Sequence, residues 1–126
     1  MGARIASMAL RLFFLLNLVL GLIFWFSDND AIVPFHMLVG ILFVISLWVY
    51  SALVGLQTGN VGLVAGSFVL GLLLAIIGMT QASILSSANS PHWIIQVIHL
   101  LLAFLAIGFA ESVGGRAQRT LKARAA

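Results

Sequence analysis

Four long apolar runs separated by three short polar clusters organise this chain. The first run extends from about Met8 to Phe26 and stops at Ser27-Asp28-Asn29-Asp30, a cluster of turn and helix-capping residues. The second extends from about Ile32 to Leu56, with Pro34 in its first turn, where proline is tolerated. Gln57-Thr58-Gly59-Asn60 reads as a short turn, and the third run continues from about Val61 to Leu85. Ser86-Ser87-Ala88-Asn89-Ser90 reads as the next loop. The fourth run begins at Ser90-Pro91, an N-cap followed by proline at N1, and reaches about Val113, where Gly114-Gly115 is expected to break it. Each run supplies the roughly 20 mainly apolar residues that a spanning helix needs. The pattern predicts an all-α membrane protein, a four-transmembrane-helix bundle whose short connections favour antiparallel, up-down packing. No internal repeat stands out.

Composition agrees with the pattern. The 126 residues are 63% hydrophobic and 7% charged, with a mean hydropathy of +1.21. A soluble domain of this size cannot hide so much apolar surface, whereas a bilayer can cover it. With no cysteine, disulfides, thiolate metal sites and redox-active thiols are excluded. The division expected is one transmembrane domain over residues 1–115 and a basic cytoplasmic tail over 116–126.

Charge sets the orientation. The basic residues Arg4, Arg11, Arg116, Arg119, Lys122 and Arg124 all lie toward the two ends of the chain. By the positive-inside rule both termini are cytoplasmic. Phospholipid headgroups account for the pI of about 10.8 without nucleic acid as a partner. Arg4 and Arg11 precede the first run as in a signal peptide, but that run is long for a signal and no small-x-small cleavage site follows, so it reads as a retained span. The expected setting is the inner (plasma) membrane of a prokaryote, crossed several times. Trp25 and Trp93 fall at the outer interface, as amphipathic aromatics do.

Glycine is frequent within the spans: Gly21, Gly40, Gly55, Gly62, Gly66, Gly71, Gly78 and Gly108. Close helix packing is the plain explanation, with Gly62 and Gly66 forming a GxxxG pair. Room for a flat ligand is the alternative.

Polar groups inside a membrane are costly and mark functional candidates. Here they are Asn17, His36, Ser46, Thr80, Gln81, Gln96, His99 and Glu111. If Asp30 caps the second span, His36 lies about 9 Å below the outer end. If Ser90 caps the fourth, His99 lies about 13 Å deep. Two imidazoles at similar depth in an apolar bundle make a pair of axial ligands for haem iron. Bis-histidine ligation leaves no open coordination position and suits electron transfer. Zinc normally takes four ligands, and non-haem iron wants a carboxylate as well. Taken singly, His36 could bond a carbonyl and His99 could bond Thr80 or Gln81 across helices. His92, two turns from His99 on the same face, is a rival ligand, a partner for a haem propionate, or an interfacial residue. Gly40, one turn below His36, would let a porphyrin approach; Gln96, one turn above His99, could bond a ligand's edge. Glu111 reads as interfacial, with a proton-coupled role as the alternative.

The segment Pro91-His92-Trp93-Ile94-Ile95-Gln96-Val97-Ile98-His99-Leu100-Leu101-Leu102-Ala103 resembles the fourth helix of one half of haem A synthase, and Leu74-Ala75-Ile76-Ile77-Gly78 resembles the third. That family has two similar four-helix halves, each with a histidine pair on its second and fourth helices, the positions that His36 and His99 match. The resemblance covers nearly the whole chain as a single half. It departs in three places. Met37 follows His36 where the family often has arginine. The family's catalytic glutamate is missing from Ala31-Ile32-Val33-Pro34-Phe35. The loop cysteine pair is also missing. The resemblance therefore implies the half that holds haem b (iron) as a cofactor, and a membrane b-type cytochrome rather than a haem-modifying enzyme. It admits a second copy of the chain, a quinone or a membrane oxidoreductase as partners. A haem-modifying or quinone-reactive oxidoreductase and a non-redox assembly factor or small transporter are the alternatives. Proton-coupled transport of the small drug-efflux kind is poorly supplied, since Asn17 stands in span one where that family needs a carboxylate.

Overall fold

The computed structural model describes residues 1–27, 29–84 and 92–125. These form α1 (Gly2–Ser27), a 3-10 turn at Asp30–Ile32, α2 (Val33–Thr58), α3 (Val61–Ile84) and α4 (His92–Ala125). All four helices are long and apolar enough to cross a membrane. The expected helix end at Leu85, the Ser86–Ser90 loop, the Ser90-Pro91 cap, Asp28 and the side chain of Gln81 lie outside the described residues.

Two connections are explained by local chemistry. Asn29, not Asp30, caps the turn before α2, its side chain accepting from the Ala31 N–H at 3.1 Å. Pro34 then sits in the first turn of α2, as the sequence suggests. At the other end of α2, Gly59 takes a left-handed conformation at φ 68°, which glycine adopts at little cost. The amides of Gly59 and Asn60 return to the Gly55 carbonyl, and Asn60 Oδ1 caps α3 by accepting from the Leu63 N–H at 2.9 Å.

The Gly114-Gly115 break is not present. Helix α4 runs straight through it, and the basic segment 116–125 continues the helix. Gly114 serves packing instead, since an added Cβ would lie 2.7 Å from the Tyr50 hydroxyl on α2. At the helical rise α4 is about 51 Å long, against roughly 30 Å for a hydrocarbon core. Its basic end therefore has length to reach beyond the lipid.

Helix α2 is the centre of the bundle. It packs on α1, α3 and α4, whereas α1 meets α4 only lightly, and α1 and α3 do not touch among the described residues. The cross-section is thus a rhomb with α2 and α4 across its short diagonal. The core along α2 holds Phe43, Leu47, Tyr50 and Val54, with Leu10, Leu63, Ala106 and Ala110 from the other helices. A polar pin joins α2 to α3. Ser51 Oγ donates to Ser67 Oγ at 2.6 Å, and Trp48 Nε1 donates to the Ser67 carbonyl at 3.2 Å.

One end is tied by an ion pair. Arg11 grips Glu111 with two nitrogens, Nε to Oε1 at 2.9 Å and Nη2 to Oε2, and Ser7 Oγ donates to Oε1 at 3.3 Å. Such two-point contacts fix geometry as well as charge. Glu111 is thereby a link between α1 and α4.

The GxxxG pair divides. An added Cβ at Gly66 would lie 2.6 Å from Phe109 Cζ of the same chain, so its surface is already filled. Gly62 meets only Asn60 Oδ1, at 3.5 Å. Gly66→Leu should therefore destabilise the bundle by about 1–3 kcal/mol through overpacking. Gly108→Leu, at a site with nothing within 4 Å of an added Cβ, should not. Thermal unfolding of the two variants in detergent checks the difference.

Candidate functional site

The two histidines meet. His36 on α2 and His99 on α4 have ring centres 6.3 Å apart and ring planes inclined at 59°. This happens because α2 and α4 lie across the short diagonal and each carries its histidine toward the same level.

Each ring rests on a glycine of the neighbouring helix. An added Cβ at Gly21 on α1 would lie 2.9 Å from His36 Cε1, and one at Gly78 on α3 would lie 2.9 Å from His99 Cε1. Real Cβ atoms do not come so close, so neither ring could stand there against alanine. His36 Nδ1 is 3.1 Å from the Asn17 carbonyl. A carbonyl only accepts, so Nδ1 carries the proton and Nε2 is left with its lone pair.

The pair forms the shared wall of two cavities. One opens toward α1 and is lined by Asn17, Gly21, Trp25, Phe43, Gln96 and Ala103 together with both histidines. The other opens toward α3 and is lined by Asn17, Gly40, Ile41, Leu74, Gly78 and Met79, again with both histidines. In the wall of the first cavity, Phe14 packs against Phe43 at 5.7 Å and, beyond it, edge-on against Phe104 at 5.2 Å.

Two buried side-chain polar atoms lack any partner among the described residues: Asn17 Oδ1 and His99 Nδ1. Both belong to residues that line both cavities. Unsatisfied buried polar atoms are rare and costly, and here they gather at one place. Comparison with family models, curated proteins and solved structures finds no match to this chain. The site must speak through its own geometry.

The other sequence candidates distribute as follows. Gln96 lines the first cavity. Gly40 lines the second, but an added Cβ there would lie 3.3 Å from Asn17 Nδ2, so the notch it leaves holds the Asn17 amide. His92 is half-buried at the start of α4 and lines neither cavity. Ser46 is buried in α2 away from both. Thr80 Oγ1 donates to the Ile76 carbonyl at 2.6 Å. Trp25 is half-buried against the first cavity, while Trp93 is exposed. Among the described residues no group of three or more His, Asp or Glu side chains gathers as a metal site. A four-ligand zinc site is therefore short of donors.

Sequence reasoning named Asn17 as a polar candidate without giving it a role beside the histidines, and missed the seating role of Gly21 and Gly78. The unpaired Asn17 oxygen generates a test. Asn17→Leu keeps the side-chain shape and the backbone acceptor of His36 while removing a buried, unsatisfied group. Stability should rise by up to about 1–3 kcal/mol, read as a higher unfolding temperature in detergent.

Proposed function

We propose that this chain is a membrane-embedded b-type cytochrome, holding one haem b between His36 and His99 and passing single electrons. The observation that carries the reading is the facing pair. Two imidazoles bound to one ion from opposite sides, with each nitrogen about 2.0–2.1 Å from the metal, have ring centres roughly 6–6.5 Å apart. The 6.3 Å separation fits that arrangement. The tautomer of His36 suits it as well, since its Nδ1 bond leaves Nε2 free to ligate.

The surroundings fit a flat macrocycle. A ligand crossing the pair needs space on both sides of the line between the rings, and the two cavities lie on those sides. The linings are mainly apolar, as a porphyrin face requires. A bound haem would supply a one-electron iron couple. His36 and His99 would hold its iron, and Phe14 and Phe43 would screen the site with apolar surface. That division of labour favours electron transfer over haem modification or quinone oxidation.

The contacts also support the finer topology we propose. Gly21 near the end of α1 lies by His36 near the start of α2, and Arg11 near the start of α1 grips Glu111 near the end of α4. These pairings suit an antiparallel up-down bundle with both termini on one side. By the positive-inside rule the basic residues Arg4, Arg11, Arg116, Arg119, Lys122 and Arg124 favour the cytoplasm for that side. The membrane we propose is a prokaryotic plasma membrane, with a quinol or a membrane oxidoreductase as redox partner. Gly66 is filled within the chain and gives a homodimer no open GxxxG face.

Purified after expression with ample haem, the protein should be red, with a sharp α-band on reduction. His36→Ala and His99→Ala should each abolish the six-coordinate low-spin spectrum. His92→Ala should retain it. A colourless wild-type protein would overturn the assignment.

A further inference from the structure

We propose that the site is built from one seating unit used twice, in which a glycine of an outer helix holds the imidazole and the carbonyl four residues before that glycine accepts from Nδ1. In the first unit the parts are Gly21, His36 and the Asn17 carbonyl. In the second they are Gly78, His99 and the Leu74 carbonyl. The inference rests on the histidine-pair reading for its ligand, and the apoprotein arm of its test does not.

The geometry on the α1 side is complete. With the ring against Gly21, His36 Nδ1 reaches the Asn17 carbonyl at 3.1 Å. A side chain at Gly21 would close that approach, because its Cβ would stand 2.9 Å from Cε1 and 3.4 Å from Nδ1. The α3 side repeats the stance closely. A Cβ at Gly78 would stand 2.9 Å from His99 Cε1 and 3.6 Å from Nδ1. Leu74 precedes Gly78 by the same four residues that separate Asn17 from Gly21, and in a helix that spacing puts the carbonyl beside the glycine on one face. Leu74 and Gly78 both line the second cavity with His99.

The difference between the units is the bond itself. His99 Nδ1 is buried and has no partner. A buried polar nitrogen without a partner is costly, and with the proton on Nδ1 the Leu74 carbonyl is the acceptor that the matching unit would supply. The second bond closes when Nε2 of His99 is drawn to a ligand. His99 is thus the adjustable member of the pair and His36 the preset one. Gly21 and Gly78 are positioning residues, acting through the rings they seat. An Nδ1–H bond to a carbonyl fixes the tautomer and raises the basicity of the ligating nitrogen.

The test begins without haem. Nitrogen-15 NMR of the histidine side chains in the apoprotein should find His36 as the Nδ1–H tautomer with a slowly exchanging proton. In the haem-loaded, reduced protein both histidines should show that signature. Gly21→Ala should remove it from His36 alone, and Gly78→Ala from His99 alone. Each should weaken haem retention by about 10–100-fold, the range for lost partners of metal ligands, and each should change the g-anisotropy of the ferric low-spin signal, which reports the angle between the imidazole planes. Gly108→Ala, where an added Cβ meets nothing within 4 Å, should change none of these. The proposal is overturned if apo His36 is the Nε2–H tautomer, or if the two glycine variants keep wild-type NMR and haem signals. A wild-type protein that shows the His36 tautomer yet takes up no haem would sink the cytochrome assignment and leave the His36 seat standing.

Discussion

An imidazole inside hydrocarbon has no water to satisfy it. Each ring carries one donor and one acceptor, and leaving either bare in a low-dielectric interior costs free energy. Two such rings within one small bundle constrain everything around them. They fix which helices form the short diagonal. They require notches on the two flanking helices, which Gly21 and Gly78 supply. They also require acceptors within reach, of which the Asn17 carbonyl is one.

Elsewhere the chain meets the same constraint by local means. Ser27, Thr58 and Thr80 turn their hydroxyls back onto carbonyls one turn earlier, at Ile23, Val54 and Ile76. Ser51, Ser67 and Trp48 satisfy one another across α2 and α3. Glu111 is neutralised by Arg11. Against that background the bare Asn17 Oδ1 and His99 Nδ1 stand out. Their shared position beside both cavities makes this the least satisfied place among the described residues, and it is where the proposed ligand would sit.

The four spans and the meeting of His36 with His99 were legible in the sequence, because both depend on coarse quantities, run length and depth. Pro34 and the turn at Gly59-Asn60 were legible for a local reason, although α2 runs on through Gln57 and Thr58, which the sequence assigned to the turn. The continuation of α4 through Gly114-Gly115 was not. Two glycines in succession weaken a helix on its own, yet Tyr50 packs into the gap at Gly114 and tertiary contact prevails. Gly40 was read as an opening, and only the side-chain placement shows that Asn17 occupies it. The seating glycines carried a usable signal. Gly21 precedes the α1–α2 connection by about as many residues as His36 follows it, and Gly78 and His99 stand in the same relation to the α3–α4 connection. Two runs folded back on each other bring such positions level.

The same relation bears on how the site holds its ligand. Helices α1 and α3 carry the seats, α2 and α4 carry the rings, and α1 and α3 do not touch among the described residues. The two seats are therefore joined through α2, which packs on both outer helices, and through the two rings. The His36 half is bonded in advance, so its ring would meet the proposed ligand already oriented. The His99 half has an unpartnered Nδ1, and under the proposal it would gain its bond when its ring is drawn toward the ligand. Under the proposed cytochrome reading, ligation and hydrogen bonding at His99 would be coupled, and occupancy would tighten the pairing of α3 with α4 near the site.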